Sequence, residues 1–339
     1  MTEKYQKTKL LFVDDESENL LTFQLNLEDD FDVVTTTSPK RALQLISEDK
    51  SIAMMFVDQV MPEMTGMELA VEAKKENPDV TMVMLTGNAT KQLAIESVRT
   101  KVFWEFLEKP VDFASPHMKQ MIFSGIQAYM MSKTNRDYRE GAIALVAKLI
   151  DDKDGHTHRH SQRVQEWSIK LAKKFNLSDH EMMIVRQGAL LHDIGKISIP
   201  DDILKKPGRL SALERKIIMT HPGRGGDILD SIPQLAELAP LARYHHERHD
   251  GKGYPLGLKG DEIPLTSMIV ALADFYEALS SKRPYKDPWN VIDIVKEILS
   301  QRDKQFPGRV IDAMMEVLVD EKLVTQEQIQ EKERELKAA

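Results

Sequence analysis

The sequence predicts two folded regions, an α/β region with a parallel sheet followed by an all-α region. In the first 130 residues, short apolar runs alternate with segments of helical periodicity, which is typical of a parallel sheet covered on both faces by helices. From residue 142 onward, apolar residues recur at three- and four-residue spacing without convincing two-residue alternation. The charge balance changes as well, because residues 1–130 carry 13 basic and 21 acidic residues and the remainder carries 33 of each.

We therefore expect a first domain at residues 1–130, a helical linker at 131–141 and a second domain at 142–339. Helical spacing of apolar residues continues from Met118 to Lys148. Such a helix either transmits a rotation, forms a dimer seam or packs on the sheet of the first domain, and the sequence leaves these alternatives open. Gly125 and Gly141 argue against one unbroken helix.

Composition excludes several classes of protein. The chain has 339 residues, of which 42% are hydrophobic and 29% charged, as in soluble proteins with two ordinary domains. Its apolar runs are too short to span a bilayer and its first residues lack an apolar signal core, so we expect a cytoplasmic protein without membrane insertion. The absence of cysteine excludes disulfides and thiolate metal sites. Neither half is basic enough to make DNA an expected partner.

The first region contains four apolar runs that each end at polar residues, and these runs are the predicted strands: Leu10–Val13, Met54–Val57, Val80–Leu85 and Trp104–Leu107. Functional groups gather at the carboxyl ends of parallel strands. We therefore expect one site built from the residues that follow these runs: Asp14, Asp15, Asp58, Thr86 and Lys109.

The chemistry of this group is that of phosphoryl transfer. Three aspartates form an all-oxygen site suited to Mg²⁺. The cation would neutralise a phosphoryl donor and allow Asp58 to attack phosphorus, which gives an acyl phosphate. Thr86 can then donate a hydrogen bond to the phosphate and Lys109 can pair with it. The alternative, that these residues are solvated loop starts, accounts poorly for all five at successive strand ends.

Together with Asp58-x-x-Met61-Pro62-x-Met64-x-Gly66 and Lys109-Pro110, these residues resemble a response-regulator receiver domain over residues 8–130. The resemblance implies a flavodoxin-like five-stranded parallel sheet of order 2-1-3-4-5. It also implies phosphorylation of Asp58 by a cognate histidine kinase, with Mg²⁺ as cofactor. Phe106 stands where the family carries its aromatic switch residue.

The second region concentrates the histidines, nine of ten lying between His156 and His249. Asp193 follows an apolar run and Asp274 lies within one, where an unpaired carboxylate is costly to bury. Imidazoles and carboxylates without sulfur suit iron, manganese, cobalt or zinc. We predict one polynuclear metal site with these ligands: His160, His192, Asp193, His221, His245, His246 and Asp274.

Two metal ions roughly 3.5–4 Å apart lower the pKa of a bridging water and bind phosphate oxygens, which supplies a hydroxide for in-line attack on a phosphodiester. Basic residues should then hold the substrate phosphates. We assign that role to Lys196, Arg283 and Lys286.

The segments that carry these residues resemble the defining motifs of the HD-GYP domain: His192-Asp193-Ile194-Gly195-Lys196, His221-Pro222-x-x-Gly225 and His245-His246-Glu247-x-x-Asp250-Gly251-x-Gly253-Tyr254-Pro255. The resemblance covers residues 142–320 and implies metal-dependent hydrolysis of cyclic di-GMP to linear pGpG, GMP or both. It implies an iron or manganese centre and catalytic roles for His192, Asp193, Lys196 and Asp274.

Several alternatives stay open. His156 occupies a position where some family members place a glutamate for a third metal, so the site holds two or three iron or manganese ions. The Gly-Tyr-Pro loop, from Gly251 to Gly260, could close over substrate or dock a partner such as a diguanylate cyclase, and a homodimer is expected. The rivals to the enzyme are a catalytically silent scaffold or nucleotide receptor and a phosphohydrolase of another nucleotide such as pGpG.

Overall fold

The computed structural model describes residues 8–87, 102–155, 159–282 and 287–338. The chain divides into two compact units, Met1–Tyr138 and Arg139–Ala339. Among the described residues, no helix has the length and apolar character needed to cross a membrane.

The first unit contains a five-stranded parallel sheet of order β2-β1-β3-β4-β5, so the predicted sheet order is confirmed. Its strands are β1 (Lys9–Val13), β2 (Asp32–Thr36), β3 (Ile52–Asp58), β4 (Thr81–Thr86) and β5 (Glu105–Glu108). The described helices that accompany them are α1 (Ser17–Leu27), α2 (Pro39–Glu48), α3 (Gly66–Glu76) and α4 (Pro116–Asp154).

Burial along the strands follows their position in the sheet. Every residue of β3 and β4 is buried, whereas the edge strands β2 and β5 are only partly buried. Apolar residues therefore pack on both faces of the sheet. On one face the rings of Phe12 and Phe23 lie 4.7 Å apart and those of Phe23 and Phe56 lie 5.0 Å apart. This packing fixes the strand ends that carry the polar residues.

Helix α4 is 39 residues long and supplies residues to both units. The expectation that Gly125 and Gly141 interrupt it is wrong, because the helix is continuous through both. Gly125 has a packing role, since a Cβ at that position would lie 2.3 Å from the Met54 methyl group. The Gly125 carbonyl also accepts a 3.0 Å hydrogen bond from the Thr81 hydroxyl. Close approach of the helix to the sheet thus accounts for this glycine.

The second unit is helical, as predicted. Within its described part, the only β pairings are two isolated bridges, Asp250 with Lys259 and Arg302 with Phe306. Helix α11 is central, since Met268 to Ala273 are all at most 5% exposed. The helices after α4 are α5 (His160–Ala172), α6 (Asp179–Leu191), α7 (Asp201–Leu204), α8 (Ala212–Ile218), α9 (His221–Asp230), α10 (Ala239–Tyr244), α11 (Leu265–Ser280), α12 (Val291–Ser300), α13 (Gly308–Asp320) and α14 (Gln326–Ala338).

Candidate functional site

The strand ends of the first unit bring Asp14, Asp58 and Lys109 into contact. Lys109 Nζ lies 2.6 Å from Asp58 Oδ1 and 3.0 Å from Asp14 Oδ2. Asp14 is fully buried and Asp58 is 7% exposed. Burial of the Lys109 ammonium opposes its charge, but hydrogen bonds and attraction from Asp58 and Asp14 outweigh this and raise its pKa. The ammonium of Lys109 is therefore a cation of the protein itself that contacts both carboxylates.

The remaining predicted residues of this first site lie at the same edge of the sheet. Thr86 ends β4, is buried, and its carbonyl accepts the backbone N–H of Lys109 at 2.9 Å. Asp15 is exposed beside Asp14. Asn19, which the sequence reasoning did not include, donates to Asp14 Oδ1 and Oδ2 at 3.0 and 3.1 Å. Phe106 is partly buried in β5, with its ring 5.3 Å from that of Phe103.

The second unit brings seven predicted ligands together as two groups joined by an aspartate. One group is His160, His192 and Asp274 and the other is His221, His245 and His246, each with ligand atoms within 4.8 Å of one another. Asp193 lies between them: its Oδ2 is 3.3 Å from His192 Nε2, while its Oδ1 is 3.2 Å from His221 Nε2 and 3.7 Å from His245 Nε2. A carboxylate placed in this way can bridge two cations.

Helix ends orient three of the histidines. The last carbonyls of a helix lack intrahelical partners. His192 and His245 follow directly after α6 and α10, and each ring Nδ1 bonds the carbonyl three residues earlier, at 2.7 and 2.8 Å. His221 bonds the Ile218 carbonyl at the end of α8 in the same way, at 2.8 Å. Because these bonds use Nδ1–H, the Nε2 lone pairs of all three rings face the site.

The donor set fits metal ions. His192 Nε2 is buried and has no hydrogen-bond partner within the described part of the chain. His221 Nε2 and His245 Nε2 lie 3.2 Å apart, so two lone pairs would face each other unless a cation or proton lies between them. Buried nitrogens of this kind are costly unless a proton or a metal ion occupies them. Imidazole nitrogens with aspartate oxygens suit the first-row divalent metals.

Electrostatics in the second site follow from the same contacts. Burial alone would lower the pKa of His192, but the charges of Asp193 and Asp274 outweigh it and raise the pKa to about 9. Burial lowers the pKa of His245, and it lowers that of His246 further with help from neighbouring imidazoles. Burial would raise the pKa of Asp193, yet Lys196 and His192 hold it well below its usual range.

Lys196 is engaged by two carboxylates. Its Nζ lies 2.6 Å from Asp154 Oδ2 and 2.7 Å from Asp193 Oδ2. Burial opposes its charge, but Asp193 and Asp154 raise its pKa. Lys196 therefore neutralises Asp193 as well as presenting a cation to the site. Three predicted residues, His156, Arg283 and Lys286, lie outside the described residues.

Two buried glutamates were missing from the predicted site. Glu277 Oε2 lies 2.6 Å from His160 Nδ1, and its Oε1 accepts from Arg163 Nε at 2.8 Å. Despite burial, these contacts lower the pKa of Glu277 to about 2. Glu247, beside His246, accepts three backbone N–H bonds from the Gly-Tyr-Pro loop. The argument that selected Asp274, an acid within an apolar helix, applies equally to Glu277 three residues later.

Glycines permit the close approach of the segments that carry the ligands. A Cβ on Gly195 would lie 1.9 Å from the His221 carbonyl oxygen and 2.6 Å from the Gly225 nitrogen. The short 3-10 helix Ile194–Ser198, which follows Asp193, thus packs directly on the first turn of α9. Any side chain at residue 195 would separate Asp193 from His221.

Comparisons with known proteins agree with both units. The profile of the response regulator receiver domain matches residues 10–122, and that of the HD domain matches residues 144–310. A cyclic di-GMP phosphodiesterase from Thermotoga maritima is 31% identical over 85% of this chain and 84% of its own length. The cyclic di-GMP phosphodiesterase response regulator RpfG of Xanthomonas campestris is 31% identical over 78% of this chain and 75% of its own length.

A third relative has a higher identity over a shorter part of the chain. The 3'3'-cGAMP-specific phosphodiesterase 2 of Vibrio cholerae is 38% identical over 53% of this chain and 35% of its own length. The chain belongs to the family of response regulators in which a receiver domain precedes an HD-GYP-type HD domain.

Proposed function

We propose that the protein is a response regulator that hydrolyses cyclic di-GMP, and that phosphorylation of Asp58 controls this activity. The observation that carries the proposal is the position of Asp193, which lies within 3.3 Å of a histidine from each of the two ligand groups. Two relatives that match most of the chain bear the name cyclic di-GMP phosphodiesterase, which supports this choice of substrate.

The residues of the second site would have separate roles in metal binding and in neutralising charge. His160, His192 and Asp274 would hold one cation, His221, His245 and His246 a second, and Asp193 would contact both. Bound iron or manganese would supply a water of lowered pKa and would neutralise phosphate oxygens. Lys196 orients and neutralises Asp193 through the 2.7 Å ion pair. A third metal at His156 and phosphate binding by Arg283 and Lys286 remain part of the proposal.

Regulation would begin at the receiver site. Asp58 carries the phosphoryl group, Mg²⁺ is bound by Asp14, Asp15 and Asp58, and Lys109 pairs with the phosphate. A histidine kinase is the proposed donor. The proposal also includes a cytoplasmic location, a homodimer and docking of a diguanylate cyclase or other protein on the Gly-Tyr-Pro loop.

The decisive assay measures turnover of cyclic di-GMP and pGpG by protein loaded anaerobically with iron or manganese. We expect hydrolysis of cyclic di-GMP, with pGpG, GMP or both as products. Confirmed metal binding without turnover of any nucleotide would leave the silent scaffold or receptor as the correct alternative. Turnover of pGpG alone would favour the other phosphohydrolase.

Control by phosphorylation needs its own comparison. Asp58→Ala and unaltered protein are assayed with and without a small acyl-phosphate donor. We expect the donor to change turnover only when Asp58 is present. Equal activity in all four states would show that the receiver does not switch catalysis.

A second candidate substrate is 3'3'-cGAMP. The relative with that printed specificity is 38% identical in the matched region, a higher identity than either cyclic di-GMP relative. Because both substrates contain two phosphodiester bonds, the metal site alone does not discriminate between them. Parallel measurement of kcat/KM for the two cyclic dinucleotides decides the preference.

A further inference from the structure

The Gly-Tyr-Pro loop is bonded to a glutamate that adjoins the metal ligands. Glu247 is 1% exposed. Its Oε1 accepts the backbone N–H groups of Leu256 at 2.7 Å and Gly257 at 3.1 Å, and its Oε2 accepts that of Leu258 at 3.1 Å. A buried carboxylate is costly unless hydrogen bonds satisfy it. The side chain therefore fixes three successive residues of the loop to the residue that follows His246 in the chain.

The same loop places an aromatic ring on one of these histidines. The Tyr254 ring stacks on the His246 ring with centroids 4.9 Å apart and an interplanar angle of 26°. Its backbone N–H also donates to the His246 carbonyl at 3.2 Å. Gly253 packs against the backbone of residues 247 and 248, where a Cβ would lie within 2.5 Å of both. The loop is thus held against the ligand pair at several points.

His246 differs from the other four histidines of the site in how its ring is oriented. His192, His221 and His245 each bond a backbone carbonyl through Nδ1, and His160 Nδ1 contacts Glu277. Within the described residues, no hydrogen bond reaches the His246 ring. The His246 ring instead stacks on that of Tyr254 at 4.9 Å and lies 5.0 and 4.2 Å from the rings of His221 and His245.

We propose that Tyr254 and Glu247 are positioning residues for His246: the ring of Tyr254 fixes the imidazole plane, and Glu247 fixes the loop that carries Tyr254. This inference rests on the proposed function only in taking His246 as a metal ligand. The Gly-Tyr-Pro loop then forms part of the frame of the metal centre and does not move as a lid over the substrate. Supporting contacts of this kind change metal affinity by roughly 10- to 100-fold when removed.

The test follows Co²⁺ absorption during titration of the full chain, with excess Mg²⁺ present to fill the oxygen-rich receiver site. We expect Tyr254→Leu to weaken binding of the second Co²⁺ equivalent about tenfold or more and to change its visible band. Tyr254→Phe keeps the stacked ring and should behave as the unaltered protein does. Glu247→Gln retains an oxygen for Leu256 and Gly257 but turns its amide N–H groups towards Leu258, so we expect a smaller loss in the same direction.

Glu262→Gln is the matched control. Glu262 also accepts a backbone N–H at the end of this loop, from Lys259 at 2.8 Å, but it is exposed and belongs to neither ligand group among the described residues. We expect its Co²⁺ affinity and spectrum to be unchanged. If circular dichroism shows that Glu247→Gln does not fold, the pair Tyr254→Leu and Tyr254→Phe decides alone.

Steady-state kinetics provide a second measurement, which distinguishes a positioning role of the loop from a role as a lid over the substrate. We expect Tyr254→Leu to lower kcat with little change in KM at saturating metal. A raised KM with unaltered Co²⁺ affinity and spectrum would overturn the inference, because the loop would then act on the substrate. Absence of turnover in the unaltered protein would instead contradict the proposed function and would leave the Co²⁺ comparison valid.

Discussion

The two sites of this protein differ in how their buried polar side chains are satisfied. In the receiver unit, Asp14 and Asp58 share the ammonium of Lys109, which lies within 3.0 Å of both. In the second unit, His192 Nε2 has no hydrogen-bond partner among the described residues and the Nε2 atoms of His221 and His245 face each other at 3.2 Å. The first arrangement is balanced in the sense that one protein cation contacts both carboxylates, whereas the imidazole nitrogens of the second require a proton or an external cation.

This difference has a functional meaning. A receiver must bind Mg²⁺ and phosphate reversibly, and a balanced site allows both to leave without destabilising the sheet. A hydrolytic centre must hold its metals through many turnovers, and lone pairs fixed by helix ends before any metal arrives favour tight binding.

Removal of a central histidine of the second site should abolish turnover there and leave the receiver site unaffected. We expect His192→Ala to lower kcat for cyclic di-GMP by at least about 1,000-fold, because the first ligand group loses its buried nitrogen. Phosphorylation of Asp58 by a small acyl phosphate should be unaffected. Product formation by chromatography and acyl-phosphate content by gel mobility provide the measurements.

The control for that substitution is His180→Ala. His180 is 62% exposed and pairs with Glu237 on the surface, outside both ligand groups. Its removal should leave turnover and metal content unchanged. A His192→Ala protein within tenfold of the normal kcat would contradict the assignment of the second unit as a metal-dependent hydrolase.

The next largest effect concerns Glu277, which contacts Nδ1 of His160. We expect Glu277→Gln to weaken Mn²⁺ binding about tenfold, since the amide is a poorer acceptor for His160 Nδ1–H and leaves Arg163 without its carboxylate. Equilibrium dialysis measures the affinity. Glu237→Gln removes the same Glu–His contact at the surface and should have no effect. Equal affinities in the two variants would show that Glu277 serves only the fold.

The residues that the structure brings together at the two sites were easier to predict from the sequence than the residues that contact and orient them. Asp14, Asp58 and Lys109 follow apolar runs, and the histidines stand in patterned clusters, so their residue types alone are informative. Glu277 has no such cluster, and its partner His160 is 117 positions away. Contacts over this distance depend on how α5 packs against α11, which local patterns do not encode. Glu247 was visible in its motif, but its three backbone donors became apparent only with the loop folded.

The strand positions also show how far local sequence patterns can predict the fold. The buried strands β3 and β4 appear as apolar runs, whereas β2, with the sequence DVVTT, has only two apolar residues and no predicted run covered it. No residue of this edge strand is fully buried, so it does not need the continuous apolar run of a strand that is covered on both faces. Its place in the sheet came from the resemblance to receivers. Gly125 similarly looked like a helix breaker because its contact with Met54 lies outside local sequence.

The third prediction is a pH dependence confined to the second site. His192 has a pKa of about 9 in the folded chain, above its unfolded value near 6.5. Its protonated form therefore stabilises the metal-free protein fully below pH 6.5, and that contribution is lost as the pH rises through 9. We expect metal-free protein to lose about 2–3 kcal/mol of unfolding free energy between pH 6.5 and 9.5.

Metal should abolish this loss, because a cation replaces the proton on His192 and binds more tightly as the pH rises. The depressed pKa values of His245 and His246 act below pH 6.5 and leave this window unaffected. Urea unfolding in a Trp104→Phe background reports on Trp167 and Trp289, both in the second unit. His192→Gln should remove the slope in metal-free protein. A slope that persists there would assign it to another group.

The smallest expected effect lies in the balanced site. Lys109→Ala removes the cation shared by Asp14 and Asp58, so Mg²⁺ no longer competes with an ammonium held 2.6 Å from Asp58. We expect Mg²⁺ to bind about fivefold more tightly, which corresponds to about 1 kcal/mol for a partly exposed ion pair. Phosphorylation should nevertheless slow, because the new phosphate loses its positive partner. Calorimetry measures the affinity for Mg²⁺, and the rate of acyl-phosphate formation measures the effect on phosphorylation.

The control is Lys119→Ala, which removes a half-exposed pair with Asp30 in the same unit and should change neither quantity. Weaker Mg²⁺ binding in Lys109→Ala would mean that the lysine arranges the carboxylates for the metal, and the contrast between a balanced and a cation-dependent site would then no longer hold.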